Sequence, residues 1–219
     1  MQNVIVFDIE TIGDLQEWQK EELYASIKPG GNIKDPVKIQ ADIKKKFEAR
    51  LDKAALDPWM ARARVITACN LADVEEGCDL SKVVREWHSD TDEASVLEGF
   101  RDYLASLKGG YRVVGFNIAR FDIPFLNVRM MKHGLSWRTP FPAHQRDYKR
   151  YFDLMTVLDG HKLDHWLKLF DIPSKIADGK DTLEMNIEDT LEYAVNEMYS
   201  MTSLVLRMSH CLNVQDIER

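Results

Sequence analysis

An apolar run near the start of the chain, followed directly by acidic residues, constrains the fold more than any other feature. Val4 to Phe7 places β-branched and aromatic side chains at every position, with no polar residue between them. Such a run is typical of a strand that is covered on both faces, because a strand with one wet face alternates apolar and polar residues. Asn3–Asp8 is therefore predicted to be a central strand of a sheet with helices on each side.

Strand and helix patterns alternate along the rest of the chain. Further strands are predicted at Arg64–Leu71, Val83–Trp87 and Tyr111–Phe116, the second of which also fits a helix. Apolar residues at helical spacing predict helices at Val37–Leu56, Thr91–Leu107, Phe121–Gly134, Leu163–Phe170 and Ile187–Leu212. This order predicts an α/β fold with a mixed central β-sheet flanked by α-helices.

The length of the chain favours one domain that carries an insertion. The 219 residues exceed an average domain but would be cramped as two. Residues 13–36 are rich in glycine and proline, and the helix that follows has only a narrow apolar stripe. We therefore expect a single domain over 1–219 with a helical insertion at 14–60.

Composition excludes several classes of protein. The net charge of −7 excludes a globally basic nucleic-acid coat, but not a nucleic-acid enzyme whose acids hold metal ions. The 3 cysteines are too few and too scattered for a disulfide framework. No apolar run approaches the roughly 20 residues of a membrane span. The sequence predicts a cytoplasmic protein with reduced thiols and no membrane partner.

Asp8 and Glu10 follow the first predicted strand and are the first candidates for chemistry. Alternation places both carboxylates on one face of the strand, where they repel each other unless a cation lies between them. Mg²⁺ prefers such oxygen ligands and completes its shell with water and phosphate. A solvated strand end is the alternative interpretation of this pair.

Two further pairs of residues have both a structural and a functional interpretation. Asn117 and Asp122 lie where a predicted strand leads into a helix, so they suit a turn and a helix cap as well as a binding site. Tyr193 and Glu197 are four positions apart in the last helix and therefore share one face. That face is predicted to be offset from the buried apolar stripe of Leu191, Val195 and Met198.

These motifs resemble, in order and separation, the DEDD superfamily of 3′–5′ exonucleases. The motifs are FDIET, N-x-x-x-F-D at Asn117 to Asp122, and Y-x-x-x-acid at Tyr193 to Glu197, whose tyrosine is typical of the DEDDy branch. The segments VVGFNIARFDIPFLNVRMMKHG, FDLM and LDHWLKLFDIPSK are similar to the predicted exonucleases related to the proofreading domain of family B DNA polymerases. The resemblance covers about residues 3–12 and 111–210.

The resemblance implies a ribonuclease H-like fold and hydrolysis of phosphodiester bonds from the 3′ end of single-stranded DNA by two Mg²⁺ or Mn²⁺ ions. It implies that Asp8 bridges both ions and that Asp122 serves the second. It implies that Glu10 and Glu197 hold the ion on the nucleophile side and that Tyr193 orients the attacking water. The family usually has Asp where this chain has Glu197, so altered activity, a preference for Mn²⁺ or a loss of activity are all open.

Three more residues are expected at the substrate. Thr11 follows the acid pair and is expected to contact the terminal nucleotide. Asn117 is expected to bind the strand or to cap its turn, and Phe121 belongs to the motif but also fits the core. Two alternative functions remain open: an exonuclease acting on RNA, and a weakened nuclease fold that only binds nucleic acid or protein. A replication or repair partner and the oligomeric state are also left open by the sequence.

Basic residues form three groups that suit a nucleic-acid strand or a solvated surface equally well. The groups are Lys44, Lys45 and Lys46 with Arg50 and Lys53, then Arg62 and Arg64, and finally Arg146, Lys149 and Arg150 beside Tyr148 and Tyr151.

Overall fold

The computed structural model of the protein describes residues 3–75, 77–137, 151–173 and 184–211. The chain divides into two compact units, of which the first is Met1–Glu10 with Ala63–Arg219 and the second is Thr11–Arg62. The second unit closely matches the insertion predicted at 14–60, and the prediction of one domain with an insertion stays a prediction.

A five-stranded mixed sheet runs through the described residues in the order β3-β2-β1-β4-β5. The strands are β1 (Asn3–Gly13), β2 (Ala61–Asn70), β3 (Val84–His88), β4 (Tyr111–Gly115) and β5 (Tyr151–Asp153). β4 is parallel to β1 and to β5, whereas β3 is antiparallel to β2. The mixed sheet and the uncertain third strand predicted from the sequence are thereby confirmed.

Helices flank this sheet and also form most of the second unit. They are α1 (Glu17–Ser26), α2 (Pro36–Leu51), α3 (Glu93–Ser106), α4 (Asp122–Lys132), α5 (Leu154–Val157), α6 (Leu163–Leu169) and α7 (Ile187–Cys211). No helix in the described ranges combines the length and apolar character that a membrane crossing requires.

The two faces of β1 contact different helices. The ring of Phe7 stacks on Phe100 of α3 with 5.6 Å between centroids. Val4 and Val6 point the opposite way and belong to a core cluster with Met201 and other residues of α7. All of Val4 to Phe7 are buried, which confirms the prediction of a strand covered on both faces.

β1 differs from its prediction at its far end. The strand does not stop at Asp8 but continues to Gly13. Just beyond it, the Asp14 N–H donates to the carbonyl of Met60 at 2.8 Å. Asp8 and Glu10 therefore lie within a strand, where their side-chain directions are fixed by its alternation.

The first half of α7 buries a different face from the one predicted, although Met198 of the predicted stripe is fully buried. Leu191 and Val195 are only half-buried, whereas Tyr193 and Glu197 are 3% and 6% exposed. The predicted offset from the apolar stripe is present, but the polar pair is turned inward in the first half of this helix. The physical reason is the acid-bearing strand against which that half lies, described below.

The second unit has its own small core. Leu23, Ala54 and Met60 are buried there, with Phe47 and Leu51 of α2 packed against them. No residue of α2 is fully buried, so this helix keeps most of its surface in solvent.

Of the basic and aromatic group predicted near residue 150, residues 146–150 lie outside the described residues. Tyr151 is 2% exposed in β5, which excludes it as an open stacking surface.

Candidate active site

Three carboxylates meet where β1 passes α7. Asp8 and Glu10 follow Val4 and Val6 on the same face of β1, and that face is packed against α7. Glu197 projects from α7 to the same place, and one oxygen from each of the three side chains lies within 4.8 Å of the others. Glu10 and Glu197 are both buried, so water screens their repulsion poorly. A cation among the three would remove this repulsion.

We define Asp8, Glu10 and Glu197 as the acid cluster. The longer side chain of Glu197 still reaches the two acids of β1. The structure therefore brings together the two acids of β1 and the acid of α7.

Asp122 lies beside the acid cluster but is not one of its members. It is the first residue of α4, 2% exposed, and its Oδ1 has no hydrogen-bond partner among the described residues. Burial raises the pKa of Asp122 well above its ordinary value, and the negative charge of Asp8 raises it further. The N–H of Ile9 donates to the carboxylate and opposes this shift. A buried carboxylate with an open oxygen next to another acid is a natural position for a second metal ligand.

The turn that leads to Asp122 is held by the carboxylate of Asp153. Its Oδ1 accepts from the N–H groups of Asn117 at 2.8 Å and Met155 at 3.0 Å, and its Oδ2 accepts from Ala119 at 3.0 Å. Asp153 is 5% exposed and ends β5, which lies next to β4 in the sheet. These three hydrogen bonds are the contacts through which Asp153 supports the turn.

Asn117 adopts the left-handed conformation, with φ of 65°. Asparagine tolerates that region better than most residues. Just before it, Gly115 leaves no room for a side chain, because a Cβ there would lie 2.7 Å from the carbonyl oxygen of Phe7. β4 can therefore lie close to β1 just before the turn.

Tyr193 is bonded directly to Glu197. Its hydroxyl donates to Oε2 of Glu197 at 2.6 Å. Burial raises the pKa of the Tyr193 phenol, and the neighbouring Glu197 and Glu10 carboxylates raise it further. Tyr193 is therefore a neutral hydrogen-bond donor at physiological pH.

The residues predicted to contact substrate have other contacts in the structure. The Thr11 hydroxyl is buried in the second unit and donates to the Ala55 carbonyl at 2.6 Å. The Asn117 backbone forms the turn described above, and the half-buried Phe121 ring lies 5.6 Å from that of Phe125. Their roles at a substrate remain predictions.

The mixed sheet and its flanking helices form an α/β fold of the ribonuclease H-like type, and the acid cluster lies where its first strand passes α7. Residues 59–205 match the family described as predicted 3′–5′ exonucleases related to the exonuclease domain of PolB. The chain belongs to this family, which confirms the resemblance seen in its motifs. Asp8 and Glu10 precede the matched segment, so the inclusion of these two acids in the site is based on the sequence motif and on the structure.

A solved structure supports the same fold. The family B DNA polymerase of the hyperthermophilic archaeon Pyrobaculum calidifontis aligns with 95% of this chain at 17% identity and a TM-score of 0.59. The chain spans only 24% of the length of that polymerase. Among curated proteins, no match was found.

Proposed function

We propose that the protein is a metal-dependent 3′–5′ exonuclease that removes nucleotides from the 3′ end of single-stranded DNA. The observation that carries the proposal is the convergence of Asp8, Glu10 and Glu197, with oxygens within 4.8 Å of one another. Membership in a family of predicted 3′–5′ exonucleases supports it.

The residues present suit two divalent ions. Asp8, Glu10 and Glu197 offer the hard oxygen donors that Mg²⁺ and Mn²⁺ prefer, and the unpartnered buried Oδ1 of Asp122 offers another beside Asp8. When bound, such a pair of ions makes hydroxide available at neutral pH and stabilises the leaving oxygen. We propose that Asp8 contacts both ions, Glu10 and Glu197 the ion on the nucleophile side, and Asp122 the other.

The role proposed for Tyr193 is orientation. Since its hydroxyl donates to Glu197, it is a protonated phenol and cannot accept a proton from water. The same hydroxyl oxygen keeps acceptor lone pairs, through which it can align the attacking water beside Glu197.

The experiment is degradation of a single-stranded DNA labelled at its 5′ end, and of the RNA of the same sequence, with Mg²⁺, Mn²⁺ or EDTA. We expect a ladder that shortens from the 3′ end, requires metal and is faster on DNA. Asp8→Asn and Asp122→Asn should abolish it, since each removes a metal-binding charge. Asp102→Asn is the matched control, because its side chain is 67% exposed on α3.

Two other outcomes would replace the proposal. Faster degradation of RNA would assign the protein as an exoribonuclease, since the 2′-hydroxyl distinguishes these substrates. Binding of strands without cleavage in either metal would assign it as a nucleic-acid-binding module. The observation that favours this second candidate is Glu197 in place of the usual aspartate.

A further inference from the structure

Two tryptophans of the second unit lie against each other in solvent. Trp18 is 57% exposed and Trp59 is 41% exposed. Their rings meet edge to face, with 6.0 Å between centroids. A single exposed apolar side chain is common on protein surfaces, but two adjacent indoles keep a large apolar area in water.

The position of this tryptophan pair is fixed by the backbone around it. The Gln19 side chain donates to the Trp59 carbonyl at 2.5 Å, and the Trp59 N–H donates to Asp57 at 2.9 Å. Trp18 lies in the first turn of α1, next to Gln19. The backbone of Trp59 is therefore fixed beside α1 before any ligand arrives, which lowers the entropy cost of binding.

The net charge of the second unit is positive, whereas that of the whole chain is negative. In 11–62, Lys and Arg number 10 against 9 Asp and Glu, whereas the whole chain has 29 against 36. The surplus lies on α2, which carries 5 basic and 2 acidic residues and buries none of them. Lys38 and Arg50 are exposed and form no ion pair within the described residues.

We propose that this surface binds the single-stranded part of the substrate, with a base stacked on the Trp18–Trp59 pair and α2 contacting phosphates. This inference rests on the proposed function. Exposed aromatic rings combined with basic side chains are the means by which proteins hold single strands without sequence preference. The positive surplus on α2 favours a polyanion over a symmetric contact between two copies of α2, which would bring two positively charged helices together.

The test measures binding separately from cleavage. Fluorescence anisotropy of 5′-fluorescein dT20 is followed in EDTA, where metal-dependent hydrolysis does not occur. Trp18→Leu with Trp59→Leu should weaken binding about tenfold, since a stacked base contributes roughly 1–3 kcal/mol. Trp18→Phe with Trp59→Phe should retain most of the affinity, because phenylalanine keeps an aromatic face for stacking.

The basic residues are tested by the salt dependence of the same binding. Lys38→Gln and Arg50→Gln should each reduce the slope of log K against log salt by about 0.7, the value for one phosphate contact on a single strand. Leu169→Ala is the control, because this residue is 66% exposed on α6 in the first unit. It should leave affinity and slope unchanged.

Three results would overturn the proposal. Equal affinity of the wild type and the double leucine variant, with both folded by circular dichroism, would show that no base stacks there. Equal losses in the leucine and phenylalanine variants would argue against stacking. A wild-type dimer in sedimentation that the leucine variant lacks would assign the pair to contact between copies. Failure of the proposed function is separate, because it appears as absent cleavage by a wild type that still binds dT20.

Discussion

Asp153→Asn tests how the turn before Asp122 is held. The Asp153 carboxylate accepts from two N–H groups on Oδ1 and from that of Ala119 on Oδ2. Asparagine has the same shape, so its oxygen can retain the two bonds. Its amide nitrogen then faces the Ala119 N–H, and two donors oppose each other.

The expected loss of stability follows from these contacts. An unsatisfied buried donor costs about 1–3 kcal/mol, and a bond to a neutral acceptor is weaker than one to a carboxylate. We therefore expect Asp153→Asn to lower the free energy of unfolding by about 3 kcal/mol. A typical domain has roughly 5–15 kcal/mol of stability, so the variant should remain folded.

The effect on catalysis is expected to exceed the loss of folded protein. Displacement of a catalytic group by about 1 Å can reduce a rate roughly 100-fold, and the turn from Asn117 determines where Asp122 begins α4. Urea unfolding gives the stability, and single-turnover cleavage with Mn²⁺ gives the rate. Asp102→Asn on the exposed surface of α3 is the matched control and should change stability by less than about 0.5 kcal/mol.

Either of two results would refute this reasoning. An unchanged urea midpoint would show that the three hydrogen bonds do not stabilise the turn. A lower midpoint with an unchanged single-turnover rate would show that the turn does not determine the position of Asp122.

The remaining predictions concern α7 and a buried ion pair. Tyr193→Phe should lower the cleavage rate about 100-fold without loss of fold, because it removes the donor to Glu197 and the group that aligns water; an unchanged rate contradicts this. Glu197→Asp should lower activity, because the shorter side chain draws its carboxylate back from Asp8 and Glu10, whose oxygens lie within 4.8 Å of that of Glu197; increased activity would contradict this. Glu93→Gln should destabilise by about 3–5 kcal/mol in thermal unfolding, since Arg129 is 4% exposed and loses its charged partner. Burial alone raises the pKa of Glu93, but hydrogen bonds led by that from Arg129 outweigh it and lower the pKa below the ordinary 4.5. The carboxylate therefore stabilises the fold fully above pH 4.5, and this stability is lost as pH falls through the folded-state pKa; a variant with the same acid sensitivity as the wild type would contradict this.

The central strand and the family could be predicted because their signals are local. The apolar run of Val4 to Phe7 specifies a buried strand by itself, and the motifs around Asp122 and Tyr193 lie within a few residues each. The flanking helices followed from apolar periodicity for the same reason.

The inward face of the first half of α7 could not be predicted from periodicity. That method assigns the interior to apolar residues, whereas here Tyr193 and Glu197 are buried because they meet the acids of β1. At a buried polar site the polar residues face inward, so a method that assigns the interior to apolar residues selects the wrong face of the helix.

The backbone groups that Asp153 holds could not be predicted from the sequence either. Its bonds to Asn117 and Ala119 join positions that are 36 and 34 residues apart. Only the parallel pairing of β4 with β5 brings them together. A pattern read over a few residues contains no information on such a contact.

The repulsion within the acid cluster also links the folding of the protein to the ions around it. Asp8 and Glu10 come from β1 and Glu197 from α7, so unfolding disperses charges that the native state holds within 4.8 Å. On the proposed function, a divalent ion binds only the folded chain and stabilises it by about 2.7 kcal/mol at 100 times its dissociation constant. The melting temperature should therefore rise with free Mg²⁺ or Mn²⁺, and this rise should vanish in Asp8→Asn. On the proposed function, the concentration of free divalent ions would thus set the stability of the folded protein as well as its activity.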